Sequence, residues 1–246
     1  MKPYLLLDCY LDEAGCTRLF LPLPGEPPAR ACRPPLEPVP TSAAAFAGLV
    51  LSGSAASVLD DSLPWLEPLE ALVRDAAERE VPVLGVCFGH QIVARALLGP
   101  DAVRRSPTPE IGWFDIERTR DHPLFEGVEP RFRTFLSHFD EVTPGVAGIE
   151  VLARSERCPI QAYRIPGRPI WCVQFHAEMD AAETERLVRE RSAGSPELGL
   201  DPDEVLRGAV DSSALRERLL ANFLTLAAAG ASESDPGASE SLGHAG

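Results

Sequence analysis

Apolar and polar positions alternate along the first hundred residues in two different rhythms. Tyr4 to Leu7 is a short apolar run, read as a first strand, and Ala47 to Leu51 (AGLVL) is a second, buried one running into SGSAAS. Between them lies a proline-rich stretch, Leu19 to Pro40, in which ARACRPPLEPVP can only be extended or form an edge strand, because proline cannot donate to a sheet ladder. Leu63 to Glu80 has helical spacing, with Pro64 near its start and Leu66, Leu69, Leu72, Val73 and Ala76 on one stripe. Val81, Val83, Leu84 and Val86 then make a β-branched-rich run, and Ile92, Val93, Ala96 and Leu97 recur at helical intervals. Strand, turn, helix, strand, turn, helix in this order predicts a parallel sheet with right-handed crossovers.

After Gly99 the pattern shifts to short extended pieces separated by Pro/Gly turns: IGWFDIERT, RFRTFLSHFDEV, IEVLARS, IQAYRI and PIWCVQF. These predict later strands that are partly antiparallel. Ala181 to Arg191 reads as a helix, SAGSPELGLDP as a loop, and Ser213 to Ala228 as a last amphipathic helix with Leu215, Leu219, Leu220, Phe223 and Leu226 on its buried side. Gly230 to Gly246 holds one leucine and no other large apolar residue, too little to offset its ordering entropy, so residues 230–246 are expected to be a disordered acidic tail behind one domain over 1–229.

A chain of 246 residues without internal repeats is long enough to bury a full α/β core. Its formal net charge of -14 argues against nucleic acid or an anionic membrane surface as partner, since both need clustered Lys/Arg. No apolar run has membrane-spanning length, and the opening hydrophobic stretch is interrupted by Asp8, Asp12 and Glu13, too soon for a secretory signal. The six cysteines, at 9, 16, 32, 87, 158 and 172, lack paired C-x-x-C spacing and read as free thiols of a reducing cytoplasm. Cys87-x-x-His90 is half of a metal-ligand pattern with no second pair to complete it, so no metal is expected, and His90 is read as lining a pocket or capping the helix.

Cys87 lies at a strand-to-helix junction, on the carboxyl edge of the sheet where ligands bind. The following helix aims its free N–H groups and positive dipole end at the thiol, which favours the thiolate. Gly85 and Gly89 flank it at spacing two, the pattern of a nucleophile elbow. The same spacing also fits a small buried hydrophobe, since free cysteine is among the most buried residue types. A partner base stands in WCVQFHAEM, Trp171 to Met179. His176 ends a strand, and Glu178, two residues on, projects to the same side of an extended segment, where its carboxylate can fix one imidazole nitrogen and leave the other for a thiol.

Taken together, G-x-C-x-G-x-Q (Gly85, Cys87, Gly89, Gln91) and the downstream V-Q-F-H-x-E (Val173 to Glu178) resemble the class I glutamine amidotransferases, the Cys-His-Glu family that hydrolyses the γ-amide of glutamine. LSGSAASV (Leu51 to Val58) looks like that family's oxyanion-strand loop, LSHFDEV (Leu136 to Val142) like its S-H-x-D-x-V segment, and EIGW (Glu110 to Trp113) like a segment of its free-standing, GMP-synthase-like and γ-glutamyl peptidase branch. The resemblance runs from about Tyr4 to Ala228 and implies a flavodoxin-like open, mostly parallel sheet with helices on both faces. It implies Cys87 as nucleophile, His176 as base and Glu178 as its orienter, with the backbone N–H groups of Ser54 and Phe88 as the oxyanion hole. Gly53, the Gln91 side chain and the backbone around Ser137 and His138 would hold the glutamyl unit. The family usually has proline where this chain has Ala177, and Gly-Gly-Pro where it has Gly53-Ser54-Ala55.

The chemistry implied is acyl transfer through a glutamyl thioester, releasing glutamate and ammonia, with no metal or cofactor. No P-loop of the form G-x-x-x-x-G-K-[ST] occurs to consume the ammonia, so a separate ammonia-accepting synthase is a possible partner. Two other readings stand beside it: a γ-glutamyl peptidase acting on peptides or conjugates, and a non-catalytic binding protein that kept the fold.

Overall fold

A computed structural model describes residues 2–194, 196 and 199–230. The expected tail, apart from Gly230, lies outside the described residues. One nine-stranded sheet runs through the molecule in the order β2-β1-β3-β4-β9-β8-β7-β5-β6. Its strands are β1 (Tyr4–Leu7), β2 (Ala29–Cys32), β3 (Gly48–Leu51), β4 (Val83–Val86), β5 (Val103–Arg118), β6 (Arg131–Val142), β7 (Glu150–Arg154), β8 (Ala162–Arg164) and β9 (Ile170–Val173). The run from β2 through β9 is parallel, and the remaining pairings are antiparallel. This is the flavodoxin-like α/β architecture that the sequence led us to expect, with the proline-rich segment supplying β2 at an edge.

Strands β1, β3, β4 and β9 are buried at every position, as strands covered on both faces must be. Their side chains divide between two apolar layers with the two-residue period of a pleated sheet. Leu5, Leu7, Leu49, Leu51 and Val83 pack against helices α2 (Leu66–Glu78) and α3 (Phe88–Leu98) through Leu69, Leu72, Val73, Ile92 and Val93. Leu6, Val50, Leu84 and Val86 face the other way, against α1 (Thr17–Phe20), α4 (Ala181–Gly194) and α6 (Ser213–Ala228) through Phe20, Leu187, Val188, Leu219 and Phe223. The two layers fix the central strands in depth and so hold their carboxyl ends in one plane.

Three elements differ from expectation. Strand β5 begins at Val103, eight residues before the expected IGWFDIERT, and passes Pro107 and Pro109 at a register shift between Arg105 and Glu110, where the missing N–H groups are tolerated. Helix α4 continues to Gly194. The stretch after the expected loop forms a short helix, α5 (Pro202–Arg207), capped by the Asp201 carboxylate, which accepts from the N–H groups of Asp203 and Glu204. No helix among the described residues is long and apolar enough to cross a membrane.

Candidate active site

Cys87 sits between β4 and α3 with φ 51° and ψ -102°, a left-handed backbone that a non-glycine residue adopts only where its surroundings enforce it. The surroundings here are hydrogen bonds: its N–H donates to Val173 O at 2.9 Å, the Gln91 N–H donates to Cys87 O at 3.1 Å, and the Gly89 N–H donates to Ser52 O at 3.1 Å. The elbow needs its glycines because the first turn of α3 crosses the strands at backbone contact. A Cβ on Gly85 would lie 2.6 Å from Gly89 O, and one on Gly89 would fall on Leu51 O. The thiol is thereby placed over the sheet edge at the N-terminus of an eleven-residue helix.

His176 follows β9 after a two-residue bend and is pinned by the antiparallel half of the sheet. Its N–H donates to Phe135 O at 2.8 Å, and the Thr134 hydroxyl donates to its carbonyl at 3.2 Å. These β6 contacts hold the backbone of the His-Ala-Glu turn at Ala177. His176 Nδ1 lies 2.6 Å from Glu178 Oε1, with both residues buried, leaving Nε2 as the nitrogen free for Cys87. Burial alone would lower the imidazole pKa. The Glu178 carboxylate and then Cys87, by charge and by hydrogen bonding, overcome that and raise it to about 10. Gly53 gives the ring its room, since a Cβ there would stand 2.7 Å from His176 Cε1 and 3.5 Å from Cys87 Cβ.

A cavity of about 200 Å3 opens against His176, lined on the sheet side by Tyr10, Ser54, Ser137, His176 and Met179 and on the far side by α4; the buried Cys87 lies beside it and is not among its lining residues. A larger cavity, of about 740 Å3, reaches Glu178 from behind, between α4, α5 and the start of α6, and touches neither Cys87 nor His176. Ser54 turns its hydroxyl back onto its own loop, where Oγ accepts from the Ala56 N–H at 3.0 Å. The backbone N–H groups of Ser54 and Phe88 have no hydrogen-bond partner among the described residues. Cys87 Sγ lies 3.8 Å from Ser137 O, so β6 borders the thiol directly.

The other expected contacts are distributed differently. Gln91 is buried one turn along α3, and its Nε2 donates to Asp140 O at 2.8 Å and to Gln174 Oε1 at 3.0 Å, so that both amide protons are used and only Oε1 remains for a ligand. The His138 side chain is fully buried away from the cavity, between Asp140 O and Glu110 Oε2, each at 3.0 Å. With Cys158, these two residues form the one group of three or more among the described residues whose ligand-type atoms all lie within 4.8 Å of one another. Glu110 already accepts there from Ser155 and Gln161 as well as meeting His138. His90 departs from expectation: it is fully buried, 4.7 Å edge-on to Tyr163, and neither lines the pocket nor caps the helix. Burial, reinforced by His138, pushes its pKa down to about 3.

The far wall is what sequence reasoning missed. Arg186, Leu187, Glu190 and Arg191 of α4 close the cavity, and Tyr10 enters from the carboxyl end of β1. The position of Tyr10 just beyond the first strand was the one available signal, because that edge is where ligands bind.

Compared with known proteins, residues 31–192, well over half of the chain, match the family model described as glutamine amidotransferase class-I. The chain is 38% identical over 115 residues to a GMP synthase (glutamine-hydrolyzing) subunit from Thermococcus kodakarensis, covering 47% of this chain and 59% of that protein. It is 36% identical over 138 residues to the corresponding subunit from Pyrococcus abyssi, covering 56% and 68%. It also matches GMP synthase (glutamine-hydrolyzing) of Lactobacillus delbrueckii subsp. bulgaricus, 35% identical over 137 residues, where 55% of this chain corresponds to only a quarter (25%) of that longer protein. Among solved structures, a glutamine amidotransferase from Thermotoga maritima superimposes with a TM-score of 0.77 at 21% identity over 92% of this chain and 98% of that one. Another, from Methylobacillus flagellatus, does so with a TM-score of 0.73 at 28% identity over 94% and 95%.

Proposed function

The chain belongs to the class I glutamine amidotransferase family, and from that premise we propose that it hydrolyses the γ-amide of glutamine by way of Cys87, His176 and Glu178. The observation that carries this reading is the 2.6 Å contact from His176 Nδ1 to Glu178, with His176 lining the small cavity and Cys87 held in left-handed backbone beside it. Deprotonated through His176, the Cys87 sulfur attacks the γ-carbonyl carbon, and the carbonyl π electrons move to oxygen. The N–H groups of Ser54 and Phe88 receive that oxyanion. The tetrahedral centre collapses as the C–N bond breaks, and the leaving nitrogen takes the proton from His176 to depart as ammonia. Water, deprotonated by His176, then attacks the thioester, the C–S bond breaks, and glutamate leaves.

Gln91 Oε1, the one polar atom that residue has left, suits the substrate ammonium, and the backbone at Ser137 borders the glutamyl unit. Glu178 fixes the tautomer and stabilises the imidazolium. These steps use the chain's own groups, with no metal or cofactor.

The cavity volume of about 200 Å3 is below the roughly 300–1,000 Å3 of sites for drug-sized ligands and fits a single amino acid. That favours glutamine over the larger substrates of a γ-glutamyl peptidase. The relatives that are GMP synthase subunits support a further step, in which the ammonia passes to a separate synthase. The six free, buried thiols suit a reducing compartment such as the cytoplasm.

The test is glutamate release by the purified chain from glutamine, γ-glutamyl dipeptides and glutathione. Release chiefly from glutamine supports the reading. Release from peptides but not glutamine selects the peptidase, and release from none, with Cys87 unlabelled by a glutamine-analogue electrophile, selects a binding protein.

A further inference from the structure

Besides His176, four charged side chains line this cavity, and three of them, Asp12, Arg186 and Glu190, are paired through Arg186. Arg186 meets Asp12 at 3.2 Å and Glu190 at 2.7 Å, and also contacts Glu183. Arg191, the fourth, has no acidic partner among the described residues, and its Nε is buried without a hydrogen bond. What holds it is an aromatic face: its guanidinium carbon lies 5.3 Å from the ring centroid of Phe139, two residues along β6 from Ser137. Arg105 stands 4.8 Å from the same ring centroid but is paired with Asp140 at 3.1 Å. A guanidinium positioned by stacking, with its donors unanswered, is pre-organised for a planar anion. An unpaired buried donor costs free energy that a bound acceptor would recover. In a chain of net charge -14, a substrate carrying a carboxylate also needs a local cation to overcome the overall repulsion.

We infer that Arg191 is the carboxylate-binding residue of this cavity, pairing its guanidinium with a carboxylate of the substrate. The carboxylate is either the α-carboxylate of the glutamyl unit or one borne by the leaving amine. The identity of the substrate rests on the hydrolase reading above; the cation in the cavity does not. Because Arg191 grips the substrate equally before and during reaction, its loss falls on KM far more than on kcat.

The experiment compares the wild-type chain with Arg191→Ala, Arg191→Lys and, as a control on the same helix outside this cavity, Arg189→Ala. The substrates are glutamine, γ-glutamyl-methylamide and γ-glutamyl-glycine. Losing charge-assisted hydrogen bonds should raise KM about 10- to 100-fold in Arg191→Ala. Arg191→Lys should recover part of the loss, and Arg189→Ala should keep the wild-type KM. A rise with all three substrates assigns the α-carboxylate; a rise with γ-glutamyl-glycine alone assigns the leaving-group carboxylate. An unchanged KM with every substrate, or a loss confined to kcat, overturns the inference. If the wild type cleaves none of the three, the hydrolase reading fails, and calorimetric binding of γ-glutamyl-glycine decides on Arg191 by itself. Binding at least tenfold weaker in Arg191→Ala upholds it; equal binding, or none to either protein, overturns it.

Discussion

Gly53→Ala separates catalytic geometry from stability more sharply than removal of any reacting group. The backbone at Gly53 is outside the left-handed region, so alanine is conformationally acceptable there. Its Cβ would nevertheless stand 2.7 Å from His176 Cε1, against an optimal carbon–carbon separation of about 3.5–4.0 Å. One of the two must therefore move by roughly 1 Å. The ring is the less free of the two to move, because Nδ1 is fixed to Glu178 at 2.6 Å and its own backbone is fixed to Phe135 and Thr134. A displacement of about 1 Å in a reacting group is worth about 100-fold in rate, so kcat for glutamine hydrolysis should fall about 100-fold. Overpacking by one methyl costs about 1–3 kcal/mol, a shift of several degrees in Tm at this chain length. The assay is coupled detection of glutamate, with the rate of Cys87 alkylation as a second readout that needs no substrate. A kcat within threefold of wild type would refute the argument that the oxyanion loop and the imidazole are in steric register.

His176→Ala should lower kcat by about 10²–10⁴, and Glu178→Gln by less, since an amide still orients the ring while losing the charge that stabilises imidazolium; the reverse order would remove Glu178 as orienter. His176 is raised from 6.5 to about 10 in the folded chain, so its contribution to stability is full below pH 6.5 and is lost as pH rises through about 10. Denaturant titrations across that window should show wild type losing stability that His176→Ala does not, and parallel curves would contradict this. With limiting iodoacetamide near neutral pH, Cys87 should be modified first and protected by glutamine, because burial pushes the Cys32 thiol up to about 11, Cys158 and Cys172 to about 12, and Cys9 and Cys16 higher still. Cys32, not Cys9 at the end of β1, is then the expected competitor, and faster labelling of any of the five would sink the elbow reading.

The strands and elbow were legible where one local rule governed the residues. RFRTFLSHFDEV coincides with β6 because its pairing with β5 spans the segment, and Val83 to Val86 could only be a strand buried on both faces. Helix α5 buries none of its residues, so no apolar stripe marked it, although Asp201 and Pro202 carried the start signal of a helix. Of the candidate site, Cys87 and the His176–Glu178 pair could be read from short spacings. The cavity wall could not: Arg186 meets Asp12 across 174 positions, and Arg191 is held by Phe139, contacts that no local period encodes. The buried His138–Glu110 pair was hidden for the same reason, since Glu110 lies 28 positions away on the neighbouring strand.

The central claim is a covalent glutamyl group on Cys87. Rapid mixing of the chain with glutamine, acid quenching within the first turnovers and peptide mapping by mass spectrometry measure it directly. One added glutamyl group is expected on the peptide bearing Cys87, absent from Cys87→Ala, whose glutamate release should vanish with its fold intact. Glutamate release by Cys87→Ala within tenfold of wild type, or an adduct on any other cysteine, would contradict it.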